Sequence, residues 1–280
     1  MSIDATAVIR QESERLVSVL TATDPGQKVP TCPDWTADDL LWHVAEVHEF
    51  WTAILAAGAT TEDEVMAIEE AKQPRPDGRE AVLERRTAAT AALIAQLESH
   101  ADEDPAWFWY SAVQGVGATR RMQIHESTIH RVDAELTAGV PVSAIDAEVA
   151  AAGLDHVLQV MWPAAYEWIP EWASLTPIAL VEIRLEGGDA RWLGISRWTG
   201  TRPRDGQEFD VPVGRLIEDA AEAEQLPRSS ATGSALALGL WAWGRERALE
   251  KLATGAEEVS LEGDPTALAA LRALLSEGHD

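Results

Sequence analysis

The sequence predicts an α+β protein of two domains, in which a four-helix bundle precedes a smaller domain that combines helices and strands. Apolar residues recur at helical spacing through the first half of the chain. The second half instead holds alternating segments around the turn Gly187-Gly188-Asp189, which is typical of a hairpin. The length of 280 residues exceeds the usual size of one domain. We therefore predict domains over residues 1–160 and 161–280.

The clearest helix signals lie near the N-terminus. Residues 4–22 have helical periodicity, and a proline-containing loop follows them. Thr36 is the predicted N-cap of the next helix, because Asp39 stands three residues later in a variant of the capping box. We expect that helix to end near Gly58.

The same periodicity predicts further helices over residues 79–98, 118–138 and 145–160. Helices of this length fit an up-and-down bundle, whose interior is a common place for metal sites. In the second domain, the sequence predicts strands over 178–185, 192–198, 208–213 and 257–261. We expect a helix over 230–252 and a last helix that starts at Asp264-Pro265.

The composition limits the function. Its 47 acidic and 22 basic residues give a formal charge of −25, which would repel nucleic acid and anionic membranes. The chain has one cysteine, Cys32, so no internal disulfide is possible, and we expect this residue to be packed and inert. The N-terminus shows no secretory signal and no apolar run is long enough to span a bilayer, so we expect a cytoplasmic protein.

A candidate metal site lies in the fourth predicted helix. Glu126 and His130 are four residues apart, so their side chains share one helix face. His43 projects from the apolar side of the second helix and is the candidate third ligand. Three protein ligands with an open fourth position are typical of catalytic zinc, although two histidines and a carboxylate also suit iron(II) or nickel. A Glu-x-x-x-His pair on a solvated helix face is the alternative.

Two segments of the chain resemble the signatures of one family. Residues 29–36, followed by His43, and residues 125–135 are similar to the mycothiol-dependent maleylpyruvate isomerase family. The resemblance covers residues 1–150 well and is looser beyond them. It implies a DinB-like metal-binding bundle, followed by a sterol-carrier-like C-terminal domain.

The resemblance also implies a reaction. Mycothiol, a cysteinyl pseudo-disaccharide, would bind zinc or another divalent metal as its thiolate and attack a small electrophile. The chain would then be an isomerase of the maleylpyruvate type or an S-transferase, acting as a monomer or homodimer. The alternatives are a zinc hydrolase that uses metal-bound water, and a non-catalytic binding or regulatory protein.

The resemblance and the residue types name further candidates. Arg245 matches a Gly-Arg position of the family and is the predicted cation for an anionic substrate; a surface arginine is the alternative. We assign Asp133 to the catalytic group as the partner of a ligand imidazole, or else to a helix-face ion pair. The residues expected to bind the thiol cosubstrate are Trp35, Trp109 and Arg131, although the tryptophans also suit the core and Arg131 the surface.

Overall fold

The computed structural model describes residues 3–218 and 225–277. The chain divides into two compact units, which are Met1–Ala144 with Lys251–Thr254 (unit 1) and Ile145–Glu250 with Gly255–Asp280 (unit 2). The predicted boundary at residue 160 falls inside unit 2, because the helix that follows Ala144 packs against a later helix of that unit.

Unit 1 is helical. Over residues 3–144 it contains α1 (Ala5–Thr21), α2 (Ala37–Ala57), α3 (Glu62–Glu70), α4 (Arg79–Ser99) and α5 (Val116–Ala138). Helices α1, α2, α4 and α5 confirm the long helices predicted for this half. Helix α5 packs against α1 and α2, and most of its residues are buried. Polar side chains of α5 therefore lie inside the bundle, where they need partners.

The ends of α2 have the predicted chemistry. The Thr36 side chain accepts a hydrogen bond from the Asp39 N–H, and the Asp39 carboxylate accepts one from the Thr36 N–H at 2.9 Å. Gly58 ends the helix with φ 62°, a left-handed conformation that glycine adopts without strain. Cys32 lies buried in the apolar cluster beside this helix, as predicted.

Helix α3 was not predicted. Of its nine residues Val65 alone is buried, so an apolar stripe was absent from the sequence. Its start nevertheless carries a capping box, in which the Thr61 side chain and the Glu64 carboxylate each accept a backbone N–H. That Thr-x-x-Glu spacing was the available signal.

Unit 2 is a mixture of helices and strands. Among its described residues, the α-helices are α6 (Ala147–His156), the one-turn α7 (Trp162–Ala164), α8 (Ala235–Ala242) and α9 (Pro265–Ser276). Its strands are β1 (Ser174–Leu185), β2 (Ala190–Thr201), β3 (Glu208–Ile217), β4 (Arg228–Gly233) and β5 (Ser260–Gly263). Asp264 caps α9 with Pro265 in its first turn, as predicted.

The described strands form one sheet of order β3-β2-β1-β4-β5. β1 and β2 are the predicted hairpin, while β4 runs parallel to β1. The helix predicted over 230–252 was wrong at both ends, because residues up to Gly233 belong to β4 and α8 ends at Ala242. The buried positions of β4 are Ser229, Ala231 and Gly233, whose small side chains give little strand signal. Among the described helices, none is long and apolar enough to cross a bilayer.

Candidate metal centre

The structure brings the predicted metal ligands His43, Glu126 and His130 together between α2 and α5. Their donor atoms all lie within 4.8 Å of one another. His130 Nε2 is 3.1 Å from His43 Nε2 and 3.0 Å from Glu126 Oε2. His130 is buried, and the other two are partly buried. The helical spacing thus places two of the groups on one face of α5, and the packing of α2 supplies the third.

A hydrogen bond fixes the orientation of the His130 ring. Asp133 Oδ2 lies 2.9 Å from His130 Nδ1, and Thr31 Oγ1 donates to Asp133 Oδ1 at 2.5 Å. Because an ionised carboxylate only accepts hydrogen bonds, the Nδ1 of His130 carries the proton. The lone pair of neutral His130 then lies on Nε2, which faces His43 and Glu126.

The site has a negative potential. Burial opposes protonation of His130, but hydrogen bonds to Asp133 and Glu126 outweigh it and raise the pKa of the imidazole to about 9. A positive charge at Nε2 is therefore favoured by its surroundings. A divalent cation would gain from the same carboxylates.

The distances between the candidate ligand atoms also fit a bound metal ion. Ligands about 2.0 Å from a tetrahedral zinc ion are about 3.3 Å from one another. The separations of 3.0 and 3.1 Å around His130 Nε2 are close to that value. Two imidazole nitrogens and one carboxylate oxygen suit zinc and other divalent transition metals. The residues present therefore fit a three-ligand metal site.

Aromatic residues differ in their distance from this site. The Trp35 ring lies against it, with centroids 4.5 Å from His43 and 6.1 Å from His130. Trp109 instead contacts the rings of its chain neighbours, Phe108 and Tyr110. The structure thus brings Trp35 to the candidate ligands, and it records no ring contact between Trp109 and them within the described residues.

Arg131 lies in a buried ion-pair network. Its side chain is 1% exposed, with Nε 2.5 Å from Glu12 and Nη1 2.8 Å from Glu135. Arg15 and Ser143 also contact the Glu135 carboxylate, at 2.7 and 2.6 Å. Burial would raise the pKa of Glu135, but Ser143 and the two arginines hold it below its usual value. These contacts assign Arg131 to the packing of α1 against α5.

Arg245 lies in unit 2, after the end of α8. It is 3% exposed, and Nη1 donates to the Trp243 carbonyl at 2.7 Å. The surface position considered from the sequence is therefore wrong. Its expected contact with an anionic substrate stays a prediction.

His48 provides a prediction about acid stability. It is fully buried, with Nδ1 2.9 Å from Thr90 Oγ1, and burial followed by repulsion from Arg86 lowers its pKa to about 3. The unfolded chain, with a pKa near 6.5, takes up a proton that folded His48 does not. The contribution of His48 to the free energy of unfolding is therefore fully present above pH 6.5, and it falls by about 1.4 kcal/mol per pH unit toward pH 3.

We expect His48→Gln to reduce the slope of the free energy of unfolding against pH between pH 6 and 4, because about one proton fewer is taken up on unfolding. Urea unfolding of chelator-treated wild type and variant would measure it. The charge of Glu126 favours the protonated form of His48, whereas His43 and His130 oppose it. The chelator removes metal from these three residues in wild type and variant alike, so that their effect on His48 is compared in the same metal-free state. Parallel slopes would contradict the prediction.

The sequence reasoning missed Gln123 and Thr119. Both are 0% exposed, and among the described residues their side-chain polar atoms have no hydrogen-bond partner. They precede Glu126 by three and seven residues, so all three share one face of α5. Their spacing of three and seven residues from Glu126 was the signal that the sequence offered. These groups extend the polar face that carries the candidate ligands.

The fold and the site define an α+β protein whose helical unit brings two histidines and a glutamate together. Residues 6–135 match the family model of the mycothiol maleylpyruvate isomerase N-terminal domain. This match confirms the resemblance predicted for the first half of the chain.

The chain also resembles solved structures. Crystal structures of the mycothiol-dependent maleylpyruvate isomerase and of a histidine-to-alanine mutant match with TM-scores of 0.51 and 0.50. In each case 94% of both chains is covered at 13% identity. The structural match over most of both chains shows a common fold and confirms the predicted fold class. No curated protein matches the chain.

Proposed function

We propose that this chain is a metal-dependent enzyme that activates mycothiol for attack on a small electrophilic substrate. The observation that carries the proposal is the convergence of His43, Glu126 and His130 within a domain of the mycothiol maleylpyruvate isomerase type. The solved structures of that fold include a mycothiol-dependent isomerase, which supports the choice of thiol.

His43, Glu126 and His130 would hold the metal, with zinc the expected ion. When bound, the ion would supply a positive charge that keeps a thiol ionised at neutral pH, where a free thiol of pKa about 8.5 is a few per cent thiolate. Asp133 positions the His130 imidazole by accepting a hydrogen bond from its Nδ1–H. Trp35 offers an apolar wall beside the two histidines, where it would exclude water from the thiol.

Isomerisation and S-transfer both begin with attack of the thiol on the substrate. In isomerisation the thiol leaves the substrate again, whereas in S-transfer it stays attached. The polar Gln123 and Thr119, on the same face as Glu126, support a substrate that accepts and donates hydrogen bonds. We propose Arg245 as a further contact of the anionic substrate and Trp109 as a further contact of the thiol cosubstrate, on their residue types and the family resemblance. Product analysis by mass spectrometry would distinguish a mycothiol adduct from an isomer with the same mass as the substrate.

The test of this function is binding of the thiol. We expect mycothiol to raise the unfolding temperature of the metal-loaded protein more than glutathione does, and a chelator to abolish the difference. Cys32→Ser should retain most activity, because the thiol comes from mycothiol and Cys32 is buried. If mycothiol does not bind at millimolar concentration while hydrolysis of an ester is metal-dependent, the hydrolase alternative replaces this proposal.

Asp133 provides a prediction about metal affinity. Thr31 and His130 both donate to its carboxylate, so an amide at this position presents a donor to one of them. We expect Asp133→Asn to weaken zinc binding by about 10–100-fold, the usual effect of losing the partner of a ligand histidine. Competition with a fluorescent chelator would measure it. An unchanged zinc affinity would show that Asp133 does not position His130.

A further inference from the structure

A cavity separate from the candidate metal centre lies in unit 1, between α1 and α4. Its volume is about 340 Å³, and the residues that line it include Ser13, Arg86, Thr90, Arg10 and Glu14. That volume is within the range of about 300–1,000 Å³ that is typical of small-molecule sites. None of the proposed metal ligands lines it.

Arg86 is a buried cation without a carboxylate partner among the described residues. It is 3% exposed, and its one side-chain hydrogen bond runs from Nη2 to the Ser13 carbonyl at 2.9 Å. Its Nε is buried and has no partner in the described chain. Burial lowers the pKa of Arg86 to about 10, so the guanidinium stays charged at neutral pH. A buried charge of this kind is costly unless an opposite charge pairs with it.

Ser13 lines the same cavity and carries a second unsatisfied group. It is 3% exposed, and its hydroxyl has no hydrogen-bond partner within residues 3–218 and 225–277. Buried polar groups are nearly always paired, so two exceptions at one cavity need an explanation. A guanidinium and a hydroxyl can both donate, which is the arrangement that an oxyanion requires.

We propose that this cavity binds a small oxyanion, a carboxylate or phosphate group, with Arg86 as its cation and Ser13 as a hydrogen-bond donor. The planar guanidinium presents nitrogens in a fork that matches two oxygens of either group. Glu14 lies at the same cavity and would compete with the ligand for Arg86. The overall charge of −25 disfavours anions, so binding depends on the cations at this cavity, which are buried Arg86 and exposed Arg10.

The test uses the full-length, metal-loaded protein with sodium phosphate, sulfate and acetate, each compared with sodium chloride at equal ionic strength. We expect at least one oxyanion to raise the unfolding temperature saturably, with a matching heat of binding by calorimetry. Phosphate and acetate in separate titrations distinguish the two sources of oxyanion. Absence of saturable binding for all of them would overturn the proposal.

Variants locate the site. Arg86→Met should weaken oxyanion binding at least tenfold and Ser13→Ala severalfold, whereas Glu14→Gln should strengthen it. Arg204→Gln removes an exposed charge of unit 2 and is the matched control, with affinity unchanged. If Arg86→Met does not fold, the opposite effects of Ser13→Ala and Glu14→Gln still decide. Wild-type affinity in all these variants would show an adventitious ion only and overturn the proposal.

Discussion

His130→Ala is expected to lose nearly all bound divalent metal, whereas wild type is expected to purify with about one ion per chain. Loss of an outer partner of a ligand costs about 10–100-fold in affinity, so loss of a ligand should exceed that range. His130 is also the group that both His43 and Glu126 face, at 3.1 and 3.0 Å. Elemental analysis of protein prepared without added metal would measure the stoichiometry, and mycothiol-dependent activity should disappear with it.

His43→Ala and Glu126→Ala should lose the metal in the same way. His125→Ala is the control, because His125 neighbours Glu126 in sequence but is absent from the cluster of candidate ligands. Circular dichroism of each variant would establish that the helices are retained. Equal metal loss from His125→Ala would contradict the assigned face of α5.

Arg131→Met is expected to lower the free energy of unfolding by about 3–5 kcal/mol, because buried Glu12 loses its arginine partner and Glu135 keeps one of its two arginines, Arg15. Glu135 is 0% exposed, and Arg131 separates it from the charge of Glu12. Chemical unfolding at neutral pH, with metal content held equal, would measure the loss. The variant should still bind mycothiol where it remains folded, since the network is structural.

The matched control is Arg184→Met, which removes an arginine that is 51% exposed and pairs with Glu182. Exposed ion pairs contribute about 0–1 kcal/mol, so the control should unfold almost as wild type does. If Arg131→Met instead lowers the free energy of unfolding by less than about 1 kcal/mol and weakens mycothiol binding, Arg131 binds the cosubstrate, as predicted from the sequence.

Features that depend on neighbours along the chain were predictable. The capping box of Thr36 and Asp39 and the turn at Gly187-Gly188 each need only a few residues, whose side chains contact their own backbone or fix its torsions. The shared face of Glu126 and His130 follows from the helical repeat itself. Small buried residues such as Ser229 and Ala231 carry little of this local signal, so β4 was missed.

Contacts between helices were decided by the tertiary structure. The sequence by itself determined the long helices of unit 1, the hairpin and the face of α5 that carries Glu126 and His130, because local periodicity encodes them. The packing of α2 and α5 decided which nitrogen of His43 meets His130, and that of α1 on α5 enclosed Arg131. Burial likewise left Arg86 without an acid partner among the described residues. Whether a charge binds a ligand, a metal or a neighbouring helix depends on groups distant in sequence, which only the packed structure brings within reach.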